Sequence, residues 1–250
     1  MDKYFPDRPV VAINDELHAL WVNSKALKIC GVDKNTKDPE YAEIERNSDG
    51  EPTGYILEQA AMVLFTEKAL KFSKEFEKTA VKEFIKKAHS VGVTSVGDME
   101  IIKMVKHNLF REIDEEGDLD LRIFFSPAIE TDVQEMVKLK REYKKDNLKF
   151  LGAKGFIDGT PLGMTGMLVE SYNNRPGFFG EPVLDLQWLK QRIFELNREG
   201  IPVRLHACGD GAVRVALNYI EESNKKRGDE KVRNTIEHIE NLHADDLTRF

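Results

Sequence analysis

Three side chains in this sequence have the types and positions to act together: His206, His238 and Lys154. His206 closes the run Ile201-Pro-Val-Arg-Leu-His206 and His238 closes Val232-Arg-Asn-Thr-Ile-Glu-His238, so each imidazole ends a short β-rich stretch. Neutral imidazoles at the ends of neighbouring strands can converge on one metal ion, each held by a second partner. Lys154, in Gly152-Ala-Lys-Gly-Phe-Ile-Asp158, must lose its charge or become a carbamate before it can ligate. Along Val203-Arg-Leu-His206 the two-residue period puts Val203 and Leu205 on one face and Arg204 and His206 on the other. Arg204 beside His206, and Asp158 closing the Lys154 run, are the candidates to meet a substrate.

Each of these residues also has a plainer reading. A single strand-end His is more often a hydrogen-bonded residue than a ligand, and a Lys near a strand end is usually solvated or paired, here with Asp158. Cys208 could share a metal with His206, but a free Cys more commonly serves as a small apolar residue. Gly209-Asp210-Gly211 opens a helix and could hold an anion on its N–H groups; a tight strand-to-helix turn needs the same glycines. His18, His89, His107 and His243 fall in helical or polar stretches and read as structural. The acidic run 112–118 reads as a solvated helix end, and Phe178-Phe179 as a loop anchor or a lid.

The elements that must position these groups follow from hydrophobic periodicity. From residue 92 onward, β-rich runs at 91–96, 121–125, 150–157, 201–206 and 232–238 alternate with stretches whose apolar residues recur every three or four positions, such as Val133, Met136 and Val137. Repeated βα predicts a parallel sheet, where ligands lie at the carboxyl ends of the strands. The first 90 residues differ. Pro9-Val-Val-Ala-Ile13 is one apolar run, and Leu17, Leu20, Trp21 and Leu27 predict a helix. A polar stretch with turns at Asp38-Pro39 and Ser48-Asp49-Gly50 follows, then a helix through Phe76, Ala80, Phe84, Ile85 and Ala88. A complete (β/α)8 barrel takes about 250 residues, yet only five βα units can be counted, so the chain reads as part of a barrel.

Composition excludes several classes. The chain carries 37 basic and 44 acidic residues, a formal charge of −7, with Lys and Arg interleaved among acids, which leaves no clustered positive footprint for nucleic acid. At 41% hydrophobic residues the chain can build a full core. No window approaches the roughly 18 apolar residues that cross a bilayer. Two distant cysteines, Cys30 and Cys208, fit a reducing, cytoplasmic setting without a disulfide framework or a cysteine-based zinc cluster.

In these residues the chain resembles the amidohydrolase superfamily, in the branch that contains N-substituted formamide deformylases and the exoenzyme regulatory protein AepA. The segments that carry the resemblance are Asp7-Arg-Pro-Val, His18-Ala-Leu-Trp-Val-Asn-Ser-Lys-Ala-Leu27, 49–58, Gly92-Val-Thr-Ser-Val, 154–159, His206-Ala-Cys-Gly-Asp-Gly-Ala-Val213 and Ile236-Glu-His238. They run in family order over nearly the whole chain. The resemblance implies a partial (β/α)8 TIM barrel of about strands 2 to 6, with residues 1–75 an insertion between strands 1 and 2 and 76–250 the barrel part, lacking the family β-sandwich. It places Lys154 at strand 4, His206 on strand 5 and His238 on strand 6, as ligands of one or two divalent metals, commonly zinc.

Two departures stand out: these 250 residues contain no His-x-His, which the family carries on strand 1, and no strand 8 Asp. The implied activity is hydrolysis of a non-peptide C–N bond in a small-molecule amide or formamide, in a longer parent. Metal would be weak or absent in this part alone, which is expected to be inactive. Exposed sheet edges would favour a homo-oligomer. Two rivals remain: a catalytically inert regulatory or binding protein on the same barrel, and a metal-free phosphate-binding barrel using Gly209 to Gly211.

Overall fold

The computed structural model describes residues 1–15, 17–69, 72–99, 107–228 and 231–250. Four short strands form an antiparallel sheet near the N-terminus: β1 (Val11–Ile13), β2 (Ala19–Val22), β3 (Glu43–Arg46) and β4 (Pro52–Leu57), in the order β1-β2-β4-β3. The helix expected through Leu17, Leu20, Trp21 and Leu27 is not formed as such. Ala19-Leu-Trp-Val22 is a strand paired on both sides, with Leu20 and Val22 buried and Trp21 exposed. Helix α1 begins only at Ser24 and runs to Cys30. The apparent three- and four-residue spacing arose from an alternating strand running straight into a helix.

Asn23 makes that junction. Its Oδ1 accepts from the Ala26 and Val10 amides at 3.0 and 2.9 Å, and its Nδ2 donates to the Phe5 and Arg8 carbonyls. One buried side chain thereby caps α1 and ties down the N-terminal segment. The polar stretch with turn signals folds into the β3–β4 hairpin. Helix α2 (Gln59–Ala69) lays Ala61, Met62 and Phe65 against Leu20, Ile44 and Ile56 to make a core of its own.

The remaining elements alternate strand and helix. They are α3 (Lys74–Ser90), β5 (Ser95–Asp98), α4 (His107–Glu115), β6 (Arg122–Phe125), α5 (Val133–Glu142), β7 (Leu148–Phe150), β8 (Ala153–Phe156), α6 (Leu186–Arg198), β9 (Val203–Ala207), α7 (Asp210–Arg227) and β10 (Thr235–His238), followed by a 3-10 helix at Ala244–Arg249. All strand pairs here are parallel, in two sheets ordered β5-β6-β7 and β8-β9-β10.

The single run expected at 150–157 is two strands broken at Leu151-Gly152. Leu151 still donates to the Phe125 carbonyl at 2.9 Å, and Ala128 pairs in parallel with Lys154, so the two sheets continue one another. Gly152 sits at φ +148°, where an added Cβ would meet the Pro202 carbonyl oxygen at 2.3 Å; only glycine fits. The result is a mixed α/β fold with parallel sheets, and the described strands do not close into a barrel. Ile123, Phe125, Leu205 and Ala207 pack with the helices in a second core running from Val81 to Leu217. Among the described residues no helix is long and apolar enough to cross a membrane.

Candidate active site

Strand register brings the polar groups together. Phe156 on β8, His206 on β9 and Glu237 on β10 lie in one row, and Lys154 pairs with Arg204 two rows earlier. Neighbours in parallel register share a face, so Lys154, Arg204, His206 and Glu237 all project from the side opposite Leu205 and Ala207.

By the same parity His238, in register with Ala207, belongs on the wrong face. Its backbone resolves this. His238 and Ile239 take φ of +74° and +51°, left-handed values that non-glycine residues adopt at a cost of about 1 to 3 kcal/mol. The strand ends there, and the His238 ring comes to 4.4 Å, centroid to centroid, from that of His206.

His206 is 3% exposed, and its Nε2 lies 3.0 Å from the Gly159 carbonyl oxygen. A carbonyl can only accept, so Nε2 carries the proton and Nδ1 of the neutral ring keeps its lone pair. Burial pushes the His206 pKa down to about 3, so the ring is neutral across the ordinary pH range. His238 is held below its usual value by burial first and the nearby Lys154 charge second. Cys208 Sγ lies 3.3 Å from His206 Nε2, and ligand atoms of His206, Cys208 and His238 all fall within 4.8 Å of one another. Burial raises the Cys208 thiol well above its normal range, so it becomes a ligand only when a metal displaces its proton.

Lys154 is buried, and its partner is Glu237 rather than Asp158. Burial lowers the pKa of Lys154. Burial alone would raise that of Glu237, but the hydrogen bonds and charges of Lys154 and Arg204 outweigh it and hold the carboxyl below its ordinary value. Arg204 reaches the other Glu237 oxygen from Nε at 2.8 Å and from a terminal nitrogen at 2.6 Å. Arg204 therefore clamps Glu237 and Glu237 clamps Lys154, an arrangement the sequence reading missed because Glu237 looked like a spacer before His238.

Asp158, expected at the substrate, is fully buried, and its oxygens accept from the amides of Met167, Cys208 and Gly209 at 2.8 to 3.0 Å. It braces the loop after β8 against the β9–α7 turn. Burial lifts its pKa to about 6 against those three donors. The Gly209-Asp210-Gly211 turn is likewise committed: the Gly209 amide serves Asp158, and an added Cβ at Gly209 would strike the Met167 carbonyl oxygen at 2.1 Å. Packing explains the glycine, and the Asp210 carboxylate at the helix start would repel an anion. The loop holding Phe178 is anchored through the Tyr172 amide, which donates to the Phe178 carbonyl, and by Arg175 stacked 4.0 Å over the Phe178 ring.

His18, read as structural, stands in the wall of the same site. It precedes β2, is 6% exposed, and its ring centroid is 5.0 Å from that of His206. Nδ1 lies 2.9 Å from Glu58 Oε2, and the Glu58 amide donates to the His18 carbonyl. Glu58 itself adopts φ +68° and keeps its buried Oε1 without a hydrogen-bond partner. Both residues lie in segments that carry the family resemblance; His18 immediately precedes β2 and Glu58 follows β4, its pairing partner. His18, His206, His238, Lys154 and Glu237 line one cavity of about 320 Å³.

The whole chain, residues 1–250, matches the model of the amidohydrolase family Amidohydro_3. The chain belongs to the amidohydrolase family. A putative amidohydrolase, YtcJ, of Bacillus subtilis (strain 168) is 30% identical over 91% of this chain and 43% of its own length. The exoenzymes regulatory protein AepA of Pectobacterium carotovorum is 30% identical over 87% of this chain and 48% of its own. The chain thus spans just under half the length of these two relatives. A crystal structure of an uncharacterized metal-dependent hydrolase from Pyrococcus furiosus matches with a TM-score of 0.69 at 26% identity, covering 97% of this chain and 48% of that one.

Proposed function

We propose that the chain forms part of a metal-dependent amidohydrolase that hydrolyses a non-peptide C–N bond in a small-molecule amide, and that its parallel strands are an arc of a (β/α)8 barrel. The observation that carries this reading is the left-handed turn at His238, which brings a second neutral imidazole to 4.4 Å from His206 at the ends of β9 and β10. Backbone strain of this kind persists where surrounding structure sustains it, and it clusters at functional sites.

The donor set fits zinc. Two imidazoles and a thiol whose ligand atoms lie within 4.8 Å of one another are the nitrogen and sulfur donors that zinc takes. When bound, the metal would lower the pKa of a coordinated water and supply a nucleophile at neutral pH. His206 and His238 would hold it, and the Gly159 carbonyl orients the His206 ring. Lys154 lies alongside as a conditional ligand. Its carbamate would face the ionised Glu237, so it would persist only when a metal neutralises the pair. Arg204 acts at one remove by holding Glu237.

Zinc titration by calorimetry tests the reading: one bound ion lost in both His206→Ala and His238→Ala supports it, and unaltered binding in both variants refutes it. Against the roughly three protein ligands that a catalytic zinc requires, two firm imidazoles leave the 250-residue chain a weak binder. We expect no turnover of formyl- or acyl-amines by it, and turnover that vanishes in His206→Ala would contradict this. Strands β5 and β10 each pair on one side only among the described residues, and we expect them to promote self-association; light scattering showing a monomer across micromolar concentrations would count against it.

A further inference from the structure

His18 lies outside the set whose ligand atoms fall within 4.8 Å of one another. It lines the same cavity nonetheless, its ring 5.0 Å from that of His206 and edge-on to Phe156 at 6.0 Å, centroid to centroid. An ionised carboxylate only accepts, so the 2.9 Å contact with Glu58 Oε2 places a proton on Nδ1 and leaves the lone pair of the neutral ring on Nε2. Glu58 stands behind the ring, in the walls of two neighbouring cavities, so Nε2 is the nitrogen left for this one.

The backbone around the pair is strained. Leu17, just before His18, and Glu58 itself take φ of +61° and +68°, left-handed values like those of His238 and Ile239. Such conformations of non-glycine residues cluster at functional sites. Asn14 completes the placement, its Oδ1 accepting from the His18 and Ala19 amides at 2.9 Å each. In the parallel unit Gly159 leaves room: an added Cβ there would lie 2.4 Å from Glu58 Oε1, and the carbonyl of the same residue holds His206. The Glu58 amide already donates to the His18 carbonyl at 2.9 Å, so the two segments are joined without the side-chain pair. An imidazole backed by a carboxylate is an arrangement that takes and returns a proton.

We propose that His18 is a further catalytic residue of this site: its Nε2 takes a proton from the attacking water and returns it to the leaving nitrogen, while Glu58 and Asn14 position the ring. The proposal rests on the reading of His206 and His238 as the metal site of an amide hydrolase. The water oxygen bonds to the carbonyl carbon as its proton passes to Nε2. The C–N bond then breaks, its electron pair stays with nitrogen, and the proton on Nε2 moves to that nitrogen. The imidazole ends as it began, and no other reactant is consumed.

The test does not need turnover. Acetohydroxamate chelates zinc and presents its protic nitrogen and oxygen where the attacking water would stand. Calorimetry at saturating zinc should show it binding about tenfold more weakly to His18→Ala, the factor for one hydrogen bond, with zinc affinity little changed. The unmutated chain gives a second readout that does not depend on the variant folding. Imidazole nitrogen resonances in NMR should show His18 protonated on Nδ1 and bare on Nε2, and the Nε2 resonance should move when acetohydroxamate is added. A structural clamp between β2 and β4 would change neither measurement. Acetohydroxamate that binds His18→Ala as tightly as wild type, that leaves the Nε2 resonance in place, or that fails to bind the zinc-loaded chain at millimolar concentration overturns the proposal. In each of those cases the metal reading stands if zinc is lost in His206→Ala and His238→Ala. Zinc that ignores both variants sinks that reading, and this role with it.

Discussion

The antiparallel sheet near the N-terminus and the parallel strands beyond it reach the same site by different routes. In the parallel unit each polar group is delivered by its own strand, so Lys154, His206 and His238 arrive from the neighbouring strands β8, β9 and β10. In the antiparallel unit the delivery needs two strands at once: His18 precedes β2, Glu58 follows β4, and the pair meets because Ala19 pairs with Leu57. A strand-end rule finds the first kind of residue from local sequence. The second kind depends on a pairing 40 residues apart, which local sequence does not encode.

The largest effect that sharpens the contrast lies in the two cores. Leu205 and Ile56 are both fully buried, one beneath β9 and one beneath β4. Truncating either to Ala should cost about 2 to 5 kcal/mol in urea unfolding, from lost transfer free energy and the cavity left behind. Only Leu205→Ala should also weaken zinc, because only β9 carries a ligand. If Ile56→Ala abolishes zinc binding as well, the two units behave as one cooperative body and the contrast fails.

Next is ligation itself. His206→Ala and His238→Ala should each lower zinc affinity by more than the 10- to 100-fold that changes around a metal site typically cause. His18→Ala should leave it little changed, since His18 stands outside the set whose ligand atoms lie within 4.8 Å of one another. Equal losses in all three variants would make the antiparallel unit a source of ligands.

The same contrast governs what the sequence disclosed. The βα alternation gave the parallel class, and the ends of the runs gave His206 and Lys154 a shared face. Parity alone would have turned His238 away, and the left-handed turn at His238 and Ile239 has no glycine to announce it. Glu237 was hidden for the opposite reason: parity put it inside, but its importance depends on Lys154 and Arg204 from two other strands. The antiparallel sheet was illegible because its strands are only three to six residues long, and β2 runs directly into α1, so their combined apolar spacing mimicked a helix.

A smaller effect concerns the 3-10 helix at Ala244–Arg249. Asp246 is buried there and bonded to Arg214 and Arg249 at 2.8 and 2.7 Å. Burial would raise its pKa, but the two guanidinium groups outweigh that and hold it below the carboxylate value of 3.8. A depressed folded-state pKa contributes stability above the unfolded value, and this is lost as pH falls through the folded one. Asp246→Asn should therefore cost about 1.5 to 3 kcal/mol at neutral pH, the range for hydrogen bonds to charged groups, and the difference from wild type should shrink below pH 3.8. A pH-independent difference would show that the ion pairs contribute nothing and that shape alone holds the helix.

The smallest effect tests the antiparallel unit where it meets the site. Glu58→Gln keeps the acceptor for His18 Nδ1 but removes the carboxylate charge. Glu58→Gln trades a hydrogen bond to a charged group, worth about 1.5 to 3 kcal/mol, for a neutral one of about 0.5 to 1.5 kcal/mol. Its second carboxyl position still holds a buried polar atom without a partner, as Glu58 Oε1 is, a cost of about 1 to 3 kcal/mol that wild type shares. The stability of Glu58→Gln should therefore lie within about 1.5 kcal/mol of wild type. Glu58→Ala relieves the second cost but leaves His18 Nδ1 buried and unsatisfied, and should be clearly worse. If urea unfolding shows Glu58→Gln destabilised as much as Glu58→Ala, the charge itself holds β2 to β4, and the pair is a structural clamp rather than a polar group kept at the site for a ligand.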